Sequence, residues 1–194
     1  MTLNTEKDTI LWNQFRNGDE ASFVTLFRNY YSNLYLYGCK ISKDTSLVED
    51  CIQELFIEMW RTNGKAEIIS IRAYLFKSFK FKLVRAISKI GKMGKLIADQ
   101  EVETFQLSHE IFLMNEQENK ILVEKVQTAL EQLSPRQKEI VYLKFYMDLS
   151  YEEVSEIMNI NYQASRNLVY QSVKVLKNIL TAQLILSLFV ISFY

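Results

Sequence analysis

Histidine and cysteine are nearly absent from this chain: one histidine, His109, and two cysteines, Cys39 and Cys51, among 194 residues. The cysteines lack CxxC spacing and partner histidines, which argues against a zinc site or a disulfide framework and leaves reduced thiols as the default. His109 reads as a solvated residue, and no metal or cofactor is expected. Proline occurs once and glycine five times. Runs of alternating polarity rich in β-branched residues are scarce, so the sequence predicts an all-α chain. No nucleophile–base set, metal cluster or glycine-rich phosphate loop is visible, which disfavours an enzyme. Met1 to Asp8 is polar with no apolar run, so no secretory leader is read and a cytoplasmic protein is expected.

What is present is apolar periodicity and an uneven charge pattern. Hydrophobic residues make up 48% of the chain, and 23 Lys and Arg balance 23 Asp and Glu. The neutral total hides a basic block, Ile71 to Ala98, with eight cations and no acid, followed by Asp99 to Glu124 with seven acids and one lysine. The basic block is a candidate polyanion surface. Residues 7–16 read as a short helix stopped at Gly18, whose type suits a left-handed C′ position. A broad apolar stripe follows over Glu20 to Lys40. The next helix, Ser46 to Arg61, sets Val48, Ile52, Leu55, Phe56, Met59 and Trp60 against an acidic face of Glu49, Asp50, Gln53, Glu54 and Glu58. Such a face is either simply solvated or a docking surface for a basic partner. Ile71 to Ile90 interleaves aromatics with Lys77, Lys80, Lys82 and Arg85, a pattern suited to stacked bases and tracked phosphates, with only one or two rings expected to be exposed.

Residues 95–115 read as a flexible acidic linker. Beyond it come helices at Gln117 to Gln132 and Arg136 to Met147. The second opens with a capping box of Ser134 and Gln137 around Pro135, and is expected to bury Ile140, Val141, Leu143 and Phe145. Asp148 to Leu180 then reads as two helices at a tight turn. Ser150 and Glu153 form a capping box for Tyr151 to Met158. Asn161 is an N-cap for a helix from Tyr162 to about Leu180. That is the helix-turn-helix layout, whose second helix enters the major groove; spacing alone does not separate it from an ordinary helical hairpin. Leu184 to Tyr194 is apolar but too short to span a bilayer, which takes ~20 residues, so no stable membrane insertion is expected.

LSPRQKEIVYLKFYMDLSYEEVSEIMNI resembles the C-terminal DNA-binding domain of bacterial extracytoplasmic-function (ECF) sigma factors. VEDCIQELFIEMW followed by IRAYLFKSFKFKLVRAISK resembles their N-terminal domain. Together they cover roughly residues 8–180, in a style close to the Bacteroidetes group. The resemblance implies two small helical domains joined by a flexible linker: 1–94 for core polymerase docking and minus-ten melting, a linker at 95–115, a minus-35 helix-turn-helix at 116–182, and an apolar tail at 183–194. It implies a non-catalytic subunit that binds core RNA polymerase and directs promoter recognition, melting and initiation. Asp50, Gln53, Glu54, Phe56 and Trp60 would dock on the polymerase clamp. Asn63, Lys65, Arg72, Tyr74, Lys77, Lys80, Lys82 and Arg85 would hold the melted minus-ten strand. Ser165, Arg166 and Tyr170 would face minus-35 bases, with Gln163, Asn167, Lys174 and Lys177 on phosphates or flanking bases. Implied partners are core RNA polymerase, duplex and melted promoter DNA, and an anti-sigma factor or a DNA-bound recruiting protein.

One departure stands out. The family usually starts the last helix with Thr-Val-Lys/Arg-Ser-Arg, whereas this chain has Gln163-Ala164-Ser165-Arg166-Asn167. Fewer cations mean fewer phosphate contacts, which predicts weak or unusual minus-35 reading and a need for a recruiting partner. The alternative is a stand-alone helix-turn-helix regulator of the LuxR type, against which the acidic and aromatic-basic helices argue. A membrane-surface protein is the remaining reading, disfavoured by the polar gap between the basic block and the tail.

Overall fold

The computed structural model describes residues 5–64, 68, 70–90, 104–107 and 120–192, the backbone alone at 5, 120–125 and 181–192. Every regular element among the described residues is helical: α1 Thr5–Arg16, α2 Glu20–Ile41, α3 Thr45–Thr62, α4 Ile71–Ile90, α5 Lys120–Glu131, α6 Pro135–Val141, α7 Tyr151–Met158 and α8 Tyr162–Ser192. Local chemistry sets the boundaries. Asp19 and Asp44 cap α2 and α3 by accepting from Ser22 and Leu47 backbone N–H groups. Both expected capping boxes form, at Ser134/Gln137 with Pro135 at the helix start and at Ser150/Glu153. Gly18 takes a φ of 94°, the left-handed conformation that ends α1.

Helices α1–α4 form the N-terminal unit around Trp12, Phe15, Tyr30, Tyr37, Ile52, Phe76 and Phe79, all buried. At Gly38, helices α2, α3 and α4 come within contact of one another. A Cβ there would lie 2.6 Å from Val48 Cγ1 and 2.7 Å from Phe79 Cζ. Helices α5–α8 form the C-terminal unit, in which α5 and α6 pack on α8 and α7 packs on α4 as well as on α8. The two units share one continuous core.

The structure departs from the sequence reading in three places. Between α6 and the next loop, Tyr142–Tyr146 is a π-helical turn. Its extra residue shifts the helical phase, so Tyr142 is buried and Phe145, expected in the core, is 60% exposed. Helix α8 runs on to Ser192 instead of ending near Leu180, because the apolar segment contains no glycine or proline to stop it. Within the expected linker, residues 104–107 are packed: Phe105 is buried between the rings of Tyr37 and Tyr142, at 5.9 and 5.7 Å, and the Gln106 N–H donates to the Lys40 carbonyl at 2.9 Å. His109 and the rest of 95–115 lie outside the described residues.

Gly38→Ala is expected to destabilise the chain. Overpacking costs about 1–3 kcal/mol, and the gain in helix propensity returns at most about 1 kcal/mol. Urea denaturation measures the difference; a variant as stable as the parent would contradict this three-helix contact.

Candidate functional site

Helix α3 lines a recess on each of two edges. On one, it meets α2 in an apolar groove of about 560 Å³ lined by Glu20, Phe23, Val24, Phe27, Gln53, Phe56, Ile57, Trp60 and Arg61. Trp60 is 44% exposed there, with Phe23 4.9 Å from its ring. Of the expected docking set, the structure brings Gln53, Phe56 and Trp60 together on this groove. Phe56 is buried and forms its floor, while Asp50 is exposed and lines neither edge.

On the other edge, α3 meets α4 in a cavity of about 610 Å³ with a mixed lining. Tyr74, Lys77, Phe81, Lys82, Arg85 and Lys89 come from α4, and Glu54 and Glu58 from α3. Glu54 therefore belongs here and not on the groove. Glu58 pairs with Lys82. Burial pushes the Tyr74 phenol up, helped by Glu58 and opposed by Lys82. Phe81 is 43% exposed, whereas Phe76 and Phe79 are in the core. Exposed aromatic surface among cations offers a ring to a base and charge to its phosphates. Phe81 and Lys89 were not among the expected contacts; Phe81 belongs to the alternation of aromatics and cations that selected its neighbours, whereas Lys89 lies beyond its last aromatic.

The remaining expected minus-ten residues lie elsewhere. Asn63 ends α3 in a left-handed conformation and donates from its side-chain amide to the Arg16 carbonyl at 3.3 Å. Lys65 is outside the described residues. Arg72 and Lys80 are buried under the C-terminal unit, contrary to the expectation of a strand-facing surface. Arg72 donates to the carbonyls of Met147 at 2.7 Å and Asp148 at 3.2 Å, and lies 3.9 Å from Glu153. Lys80 pairs with Glu139 at 2.8 Å, each side chain 2% exposed. The Tyr37 hydroxyl also donates to Glu139, at 2.5 Å. Glu139 was missed from the sequence. The signal was a carboxylate beside Ile140 and one turn from Leu143, since an acid amid apolar positions requires a buried partner.

In the C-terminal unit, Asn159 turns the chain with a φ of 52°, and Asn161 caps α8 by accepting from the Ala164 N–H at 2.7 Å. Arg166, Asn167, Gln163, Tyr170, Lys174 and Lys177 are exposed on α8. Arg166 lies over the Tyr162 ring at 5.9 Å, and the Gln163 amide donates to Asn167 at 3.1 Å. Ser165 is a correction: it is fully buried, its hydroxyl donating to the Tyr162 carbonyl at 2.7 Å and lying 3.1 Å from that of Ser155. It joins α7 to α8 and does not face DNA.

Among the described residues no group of three or more histidines, cysteines and acids could hold a metal, and no helix is long and apolar enough to cross a membrane.

Burial and the Glu139 carboxylate raise the Tyr37 phenol well above its ordinary value of 10.0. The folded chain thus holds a proton that the unfolded chain loses above that pH, so this group's contribution to stability is fully present below pH 10.0 and is lost as pH rises beyond it. Thermal melts on both sides of that pH should show the fall. It should shrink in Tyr37→Phe without vanishing, because burial raises Tyr30 and Tyr142 too. An unchanged slope in Tyr37→Phe would contradict the assignment.

Residues 123–176 match the Sigma-70, region 4 family. Over 187 residues the chain is 22% identical to the ECF RNA polymerase sigma factor SigK of Mycobacterium sp. (strain JLS), covering 92% of each. Its fold is similar to that of CnrH in complex with the cytosolic domain of CnrY, with a TM-score of 0.59 and 17% identity, over 90% of this chain and 97% of that one. It is also similar to the sigma factor RpoE in complex with the anti-sigma factor NepR from Bartonella quintana, with a TM-score of 0.56 and 19% identity, over 82% and 96%.

Proposed function

We propose that this chain is a sigma factor of the ECF type, a non-catalytic subunit that binds core RNA polymerase and directs it to promoters. The observation that carries the reading is α3, which lines an apolar groove on one edge and a cationic, aromatic cavity on the other. A protein that must grip a polymerase and a melted strand together needs such a pair of adjoining surfaces. The groove of Phe23, Phe27, Phe56 and Trp60 suits a helical partner laid into it, and the exposed acids Glu49 and Asp50 on the same helix α3 suit that partner's cations. The cavity of Tyr74, Phe81, Lys82 and Arg85 suits unpaired bases and their phosphates. The matched region 4 segment supplies the duplex-binding helix-turn-helix. The likeness to SigK over nearly the whole of both chains supports one protein carrying all three functions.

The exposed face of α8 presents Arg166 and Lys174 within the matched segment and Lys177 just beyond it as its cations. So few phosphate contacts favour weak minus-35 affinity with recruitment by a DNA-bound protein. Tyr170→Ala and Arg166→Ala should each weaken duplex promoter binding by about 1–3 kcal/mol if they meet bases. Fluorescence titration against a promoter and a scrambled duplex measures this; equal loss on both duplexes would reassign these residues to phosphate contact.

Pull-down of bacterial core RNA polymerase tests the main reading. The intact chain should retain core, and Trp60→Ala and Asp50→Arg should lose it. A chain that binds duplex DNA but not core would instead be a stand-alone regulator.

A further inference from the structure

The cations of α4 are not equally accessible. Helix α4 carries six, Arg72, Lys77, Lys80, Lys82, Arg85 and Lys89. Three of them are matched, one by one, with carboxylates of the C-terminal unit: Lys80 with Glu139 at 2.8 Å, Arg72 with Glu153 at 3.9 Å, and Lys77 with Glu156 at 3.7 Å. Ser70, just ahead of α4, donates to Glu153 at 2.7 Å. The same carboxylate group also accepts the Ser150 N–H at 2.8 Å in the capping box that starts α7. The element that begins the helix-turn-helix is thus locked to the basic helix by one shared glutamate.

We propose that this packing is autoinhibitory: Glu139, Glu153 and Glu156 stand in for the phosphates of a nucleic-acid strand on α4, and a strand must displace them to bind fully. The inference rests on the reading of α4 as a strand-binding surface and adds how that surface is regulated. Two physical points support it. First, separating the units returns each charge to water, so buried and half-buried ion pairs of this kind hold the closed form by a small net margin. Second, a strand that replaces each carboxylate with a phosphate binds only the open form, and therefore shifts the population toward it. The groove on the other edge of α3 draws its lining from α2 and α3 alone and stays exposed in the closed form. Polymerase can therefore engage the closed chain before the strand is admitted.

The test is fluorescence anisotropy of the full chain with a single-stranded oligothymidylate of about 20 nucleotides. If the open form is about a tenth of the population, removing the latch tightens apparent affinity about tenfold. Glu139→Gln and Glu156→Lys are compared with the parent and with Glu152→Lys. Glu152→Lys makes the same charge change as Glu156→Lys on α7, but at an exposed residue that is paired with no cation of α4. Glu156 lies at the rim of the contact and its replacement leaves the core intact, so the test survives if Glu139→Gln folds poorly. Tightening in Glu156→Lys well beyond Glu152→Lys is the result expected. Equal tightening in the two lysine variants, or none in any, would overturn the proposal, provided Arg85→Glu still weakens binding. If Arg85→Glu has no effect, or neither the parent nor any variant binds the strand, α4 is not a strand-binding surface and the proposal falls with that reading.

Discussion

A lysine and a glutamate buried against each other constrain the rest of this molecule. Lys80 and Glu139 are each 2% exposed and come from opposite halves of the chain. Neither charge can be buried without the other, because an uncompensated buried ion costs several kcal/mol. The pair therefore exists only while the two units are docked, with Tyr37 bridging from α2 and Phe105 filling the seam. Once they are docked, Arg72 can reach the carbonyls of Met147 and Asp148, and α7 lies along α4. Opening this seam would free all of these groups together.

The position of the pair also separates the seam from the two recesses of the N-terminal unit. Helix α2 meets the C-terminal unit through Tyr37, near its end, and forms the apolar groove through Phe23 and Phe27, near its start. Helix α4 meets it through Arg72, Lys77 and Lys80 and lines the mixed cavity through Phe81, Arg85 and Lys89. A net charge of zero is thus compatible with polyanion binding. Four of the six cations of α4 are met by carboxylates, Arg72, Lys77 and Lys80 by those of the C-terminal unit and Lys82 by Glu58 of α3.

Much of this was legible in the sequence wherever a signal is local. The bounds of α4 and α7 followed from the apolar period and from Ser150 with Glu153, because caps act within one turn. Asp50, Glu54, Arg85, Arg166 and Tyr170 fall on exposed faces for the same reason: helical period separates polar from apolar sides. The misses arose where the deciding partner is distant or the period slips. The π turn at Tyr142–Tyr146 exchanged Phe145 for Tyr142 in the core. Ser165 has the residue type of a base reader, and only the approach of Ser155 from α7 shows it to be a packing residue. Arg72 and Lys80 read as phosphate ligands because glutamates far along the chain do not announce which cations they meet.

The most direct measurement is nitrogen-resolved NMR of the lysine side chains in the intact chain near neutral pH. If the units are docked through the buried pair, one ammonium group, absent from Lys80→Arg, should exchange its hydrogens far more slowly than the other lysines, and Glu139→Gln should abolish that protection. If every lysine ammonium exchanges at the rate of a solvated side chain, the pair is not buried in solution and the account of the docked chain is wrong.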